Sequence, residues 1–129
     1  MPCLSVADLD AVGAALNSVS GVVCPDRDRS GTNALAYTRG ASPELAFGSD
    51  SYRRHQLAFD GGRIRPASLQ RGGLAWDIDT PSDLSDLLWD DDHRLEVGPA
   101  TSEWLVSARH RGVLAPVEAP ARISQGVMR

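Results

Sequence analysis

Apolar and polar positions divide the chain into short segments. Ser5-Val6-Ala7-Asp8 reads as a capping box, with Ser5 as N-cap and Asp8 at N3. Leu9, Val12, Gly13 and Leu16 recur behind it at helical spacing, which predicts a helix from Val6 to Asn17. Gly21-Val22-Val23-Cys24 predicts a buried strand, and Asn33 to Tyr37 the next one, across a polar loop from Pro25 to Thr32. Leu45 to Gly48 is a short apolar stretch. Asp50 to Asp60 has helical character, with Tyr52, His55, Gln56 and Phe59 on one side and Gly61-Gly62 as its stop. Ile64 to Pro66 reads as edge-like, because proline donates nothing to a central ladder. Leu74 to Ile78 predicts a strand. Thr80 then caps a helix with Pro81 at N1, Asp83 at N3 and a Leu84, Leu87, Leu88 stripe. Asp90-Asp91-Asp92 reads as a solvated turn. Ala100 to Arg109 predicts a last helix, and residues 112–129 a disordered tail.

Strands alternating with helices indicate an α/β architecture. Such folds normally open on a strand and a phosphate-binding turn. This chain opens on a helix, as though it began in the middle of one.

The 129 residues suit one domain, here 1–111, and 42% apolar content argues against global disorder. A net charge of −4 argues against non-specific nucleic-acid binding. No apolar run approaches the ~20 residues of a membrane span, and the N-terminus lacks the pattern of a signal peptide. Cys3 and Cys24 lack metal-ligand spacing and read as buried thiols in a cytoplasmic protein. Every basic side chain except histidine is arginine, which excludes a Walker-type loop and any lysine acid, base or nucleophile in these residues.

Three stretches carry candidate chemistry. In Asp77-Ile78-Asp79-Thr80-Pro81-Ser82-Asp83, two carboxylates two residues apart would share a strand face. A carboxylate in an apolar strand needs a partner, and a hard cation such as Mg2+ supplies one. Asp77 is the leading metal candidate, and Asp79 shares the metal or holds the loop. Thr80 and Asp83 are explained by helix capping alone. In Arg27-Asp28-Arg29-Ser30-Gly31-Thr32-Asn33, hydroxyls and amides around a glycine form an anion cradle or an ordinary turn. In Phe47-Gly48-Ser49-Asp50-Ser51, a helix start offers N–H groups to an anion or is simply capped. His55, one turn further, reads as a structural histidine ahead of a catalytic one. His93 and His110 carry no evident chemistry. Trp76, Trp89 and Trp104 read as core or partner-facing residues.

In order, these stretches resemble the C-terminal half of the 2-phospho-L-lactate/phosphoenolpyruvate guanylyltransferase family of coenzyme F420 biosynthesis, over about Met1 to Thr101. Val22 to Leu35 resembles its strand, Pro-Asp-Arg, Gly/Thr loop and Asn-Ala-Leu. Phe47 to His55 resembles its Phe-Gly-x-x-Ser-x-x-Arg-His, and Leu74 to Leu84 its Asp-[Ile/Val]-Asp-Thr-Pro-x-Asp-Leu. Molybdenum-cofactor nucleotidyltransferases share the last motif, so a fragment of one is an alternative.

The resemblance implies an incomplete Rossmann-like nucleotidyltransferase, the C-terminal half of a three-layer α/β/α domain. It implies guanylyl transfer from GTP to phosphoenolpyruvate or 2-phospho-L-lactate. Thr32, Gly48 and Ser51 would hold the acid. Asp77 would be the catalytic metal ligand, with Asp79 beside it, and Mg2+ the cofactor. The family also carries Asp-[Leu/Met]-Pro at a first metal site. Met1-Pro2 matches its last two positions, so that aspartate is expected immediately before residue 1. The family's N-terminal nucleotide-binding half is expected upstream of that, in a longer product or a separate chain. GTP binding by these residues alone is then expected to be poor. The competing reading is a non-catalytic half that acts by homodimerising or by pairing with another protein.

Overall fold

The computed structural model describes residues 1–88 and 96–113. The readings of Trp89, Asp90 to Asp92, His93 and the tail beyond Val113 lie outside these residues.

Helix α1 (Val6–Leu16) begins at the expected capping box: Asp8 N–H donates to Ser5 Oγ, and Ser5 N–H donates back to the Asp8 carboxylate. Strand β1 (Gly21–Pro25) follows and is buried along its whole length. It pairs antiparallel with β2 (Thr32–Tyr37). Helix α2 (Ser51–Ala58) ends in a tight turn, Phe59–Gly62, which leads to the two-residue strand β3 (Ala67–Ser68). Strand β3 lies parallel to β1, so the sheet is mixed, in the order β2-β1-β3. A single helical turn, α3 (Gly72–Ala75), precedes α4 (Pro81–Leu88) and α5 (Pro99–His110).

The core has two clusters. Val22, Cys24 and Leu74 pack with Val12, Ala15 and Leu16 of α1 beside the sheet. Burying a valine or leucine contributes roughly 1.5–3 kcal/mol, so β1 is the main stabilising strand of this half. Cys3, Leu87, Leu88, Leu105 and Ala108 form the second cluster, with Trp76 against it.

Two expectations change. Leu9 is 55% exposed, because Asp8 takes the inward position on α1. The Asp8 carboxylate meets Arg71 Nε at 2.8 Å, and hydrogen bonds from Arg71 and Ser5 hold its pKa below the usual range. Gly73 sits so close that a Cβ there would run into the Asp8 carboxylate and the Cys3 carbonyl.

The second correction concerns Leu74 to Ile78, which is not a strand. Gly73, Leu74 and Ala75 are buried consecutively on α3, and Ala75 N–H donates to Arg71 O at 2.8 Å. The Asn33 amide donates to the carbonyls of Leu74 at 3.0 Å and Ala75 at 3.2 Å, acceptors that a neighbouring strand would have used. Trp76 then turns extended, and the chain runs without regular structure to α4.

Candidate functional site

The loop between β1 and β2 closes on Asp26. Its carboxylate accepts Ser30 N–H at 2.9 Å, Gly31 N–H at 2.7 Å and the Ser30 hydroxyl at 3.1 Å. Burial raises the pKa of this carboxyl, but the hydrogen bonds from Gly31 and Ser30 outweigh burial and hold it low. The amides expected to cradle an anion at Ser30 and Gly31 therefore serve the chain's own carboxylate.

A similar economy operates at the start of α2. Gly48 adopts a left-handed φ of 98°, a conformation that glycine takes without steric cost. Ser51 N–H donates to Gly48 O at 3.1 Å, and Tyr52 N–H to Ser30 O at 3.2 Å. These two helix-start amides are thus occupied as well. Arg54 fastens the loop from outside by donating to Phe47 O and Ser49 O.

The donors that remain are side chains and one amide. Thr32 N–H donates to Ser51 Oγ at 2.9 Å, which leaves the Ser51 hydroxyl proton for another partner. Thr32 Oγ1 lies 3.0 Å from His55 Nδ1. Gly48 N–H has no hydrogen-bond partner among the described residues. His55 is fully buried. Burial, and then the positive charge of Arg54, lowers its pKa, which favours the neutral ring.

The facing wall is acidic. Thr80 and Asp83 cap α4 reciprocally: Asp83 N–H donates to Thr80 Oγ1, and Thr80 N–H to the Asp83 carboxylate at 2.8 Å. Arg27 pairs with Asp83 at 2.8 Å and Asp86 at 3.2 Å while lying 4.0 Å over the Trp76 ring. Hydrogen bonds from Thr80 lower the Asp83 pKa. Asp77, at 41% side-chain exposure, accepts the Met1 ammonium at 3.1 Å. The Asp79 carboxylate has no partner among the described residues.

Both walls line one cleft of about 360 Å³. Thr32, Gly48, Ser51, Asp77 and Asp79 all face it. Loss of the expected strand does not separate the two carboxylates from the hydroxyls, because Asn33 ties α3 to β2. The lining holds five aspartates and one arginine, and that arginine is already paired. An anion entering such a cleft needs a cation with it.

Among the described residues, no group of three or more His, Cys, Asp or Glu side chains could enclose a metal. Mg2+ does not require a cage: it keeps waters and binds through one or two carboxylates plus substrate phosphates. Asp77 and Asp79 fit that role: both line the cleft, and the Asp79 carboxylate has no partner among the described residues.

Comparison with known proteins gives a consistent result. Over 87 residues the chain is 39% identical to the phosphoenolpyruvate guanylyltransferase of Sphaerobacter thermophilus, covering 67% of this chain and 42% of that protein. The chain is homologous to part of a phosphoenolpyruvate guanylyltransferase. The enzyme of that name from Rubrobacter xylanophilus is 35% identical over 92 residues, 43% of its length. The guanylyltransferase of Chloroflexus aggregans is 34% identical over 79 residues, 39% of its length. The chain thus spans about two fifths of the curated guanylyltransferases it matches. No protein-family model matches it.

Three further residues build this site; sequence reasoning gave Asn33 and Asp26 no role of this kind and read His55 as structural. Asn33 aligns the walls, Asp26 closes the loop, and His55 holds Thr32. An asparagine next to a strand start was the only signal for the first. Asp26 and His55 both fell within the resembling motifs, which did not disclose their partners.

Proposed function

We propose that this chain forms the acceptor-binding side, and part of the metal site, of a guanylyltransferase acting on phosphoenolpyruvate or 2-phospho-L-lactate in the cytoplasm. The observation that carries this reading is the convergence of Thr32, Gly48 and Ser51 with Asp77 and Asp79 on one cleft. The mixed sheet is compatible with an incomplete Rossmann-like nucleotidyltransferase domain.

In the reaction, a phosphate oxygen of the acid bonds to the α-phosphorus of GTP, and pyrophosphate leaves. The Thr32 and Ser51 hydroxyls and Gly48 N–H donate to the acid and orient it. Asp77, with Asp79, would hold Mg2+, which supplies charge neutralisation between two anionic reactants. A residue joined to the Met1 nitrogen would stand beside Asp77, where the family's first metal aspartate is expected.

Calorimetric titration of phosphoenolpyruvate into the chain with Mg2+ tests the reading. Saturable binding that is lost on chelation and in Asp77→Ala is the expected result. Absence of binding to the unaltered chain sinks it.

One observation favours a second reading, docking on another polypeptide. Leu4, Val6 and Leu9 are 41%, 74% and 55% exposed around the start of α1, an apolar face of the kind partners cover. Analytical ultracentrifugation of the chain, alone and with Val6→Ser, checks this: self-association that Val6→Ser reduces supports it.

A further inference from the structure

His55 has its two ring nitrogens in different settings. Ala46 N–H donates to Nε2 at 2.9 Å. Thr32 Oγ1 lies 3.0 Å from Nδ1. The Phe47 ring meets the imidazole edge-on, with centroids 4.9 Å apart. A backbone amide can only donate, so Nε2 carries its lone pair toward Ala46. In the neutral ring the proton is then on Nδ1, and Nδ1–H donates to Thr32 Oγ1. The ring is fully buried, so water cannot compete for either nitrogen.

The consequence falls on Thr32. One lone pair of its hydroxyl is held by His55, and its backbone N–H is held by Ser51 Oγ. Its hydroxyl proton has no acceptor among the described residues, and Thr32 lines the cleft. Ser51 is in the same condition, with Oγ accepting and its proton available.

We infer that His55 is a positioning residue for the acceptor site: by donating from Nδ1 to Thr32 Oγ1, it makes the Thr32 hydroxyl a dedicated hydrogen-bond donor to the anionic acid. The inference rests on the acid-binding reading of the cleft and adds a residue to it. His55 does not touch the acid. It acts through Thr32, and it ties the 46–48 loop to β2 in doing so.

Two measurements on the whole chain test this. The first needs no ligand and no variant. Long-range 1H–15N correlation of the histidine rings at pH 7.5 should show His55 as the Nδ1–H tautomer. An Nε2–H or doubly protonated ring overturns the inference. This arm also stands if a variant fails to fold.

The second measurement compares His55→Asn with His55→Gln in titrations of phosphoenolpyruvate with Mg2+. Asparagine places an N–H donor near the Nδ1 position, whereas glutamine reaches the Nε2 position and supplies only the acceptor for Ala46. Loss of a hydrogen bond of this kind weakens binding roughly tenfold in His55→Gln, while His55→Asn stays within about threefold of the unaltered chain. Equal behaviour of the two variants, whether both lose binding or both retain it, overturns the positioning role and leaves the acid-binding reading standing. No binding by the unaltered chain overturns both.

Discussion

On one wall of the cleft, Thr32 and Ser51 are 9% and 2% exposed and are held by each other and by His55. On the other, the Asp77 side chain is 41% exposed and accepts the neighbouring Ile78 N–H at 3.1 Å, and the Asp79 carboxylate has no partner among the described residues. On the neutral wall both hydroxyl oxygens are held from behind, Ser51 Oγ by Thr32 N–H and Thr32 Oγ1 by His55. The acidic wall is more open, as suits the proposed role of its carboxylates in meeting an ion that arrives with the substrate. Shape is therefore encoded on the first wall and charge on the second. Stability and function should respond differently to changes in each.

The largest stability effect is expected on the neutral wall. His55→Ala leaves the Ala46 amide unpaired, removes the donor to Thr32 and opens a cavity. It should cost about 3 kcal/mol in urea unfolding. Any loss below about 1 kcal/mol would show that this wall is not held as described.

Next is the dependence on pH. The His55 pKa is lowered in the folded chain, against roughly 6.5 when unfolded. Below that value the unfolded chain takes up a proton that the folded chain refuses. The stability owed to the neutral ring is thus complete above about pH 6.5 and lost as pH falls through it toward the folded pKa. The melting temperature should fall between pH 7.5 and 5.5, and His55→Asn should flatten that slope. The carboxyls of Asp8, Asp26 and Asp83 are also lowered, but they titrate in a separate, more acidic window.

On the acidic wall the effects shrink. Thr80→Ala removes one half of the α4 cap and should cost about 1 kcal/mol in the same assay. Asp77→Ala should change stability by less than about 0.5 kcal/mol, since it removes only exposed contacts, to the Met1 nitrogen and to Ile78 N–H. The same variant should abolish Mg2+-dependent binding of phosphoenolpyruvate. A variant that unfolds instead would erase the contrast between the walls.

How much of this was legible in the sequence follows from distance along the chain. Both capping boxes, Ser5 with Asp8 and Thr80 with Asp83, were readable because their partners lie three residues apart. The stretches that line the cleft were readable as candidates because each is a contiguous motif. The Leu74 to Ile78 run was misread because an apolar run has no period of its own. What decided its conformation was Asn33, forty-one residues earlier. The inward turn of Asp8 depends on Arg71, sixty-three residues away. Burial of Cys24, whose thiol pKa is pushed up to about 11, did follow from its place in an apolar strand. The pairing of β1 with both an antiparallel and a parallel neighbour did not, because strand composition is silent on direction.

The bond from Asn33 to the end of α3 also sets an order of events. Strands β1 and β2 are joined by a short loop, so they can close soon after both leave the ribosome. The acidic wall can dock only after another forty residues have emerged, since its register is taken from Asn33. The residues of the donor wall, Thr32 to His55, therefore leave the ribosome before Asp77 and Asp79 do. The carboxylates can take their place only once their segment reaches Asn33.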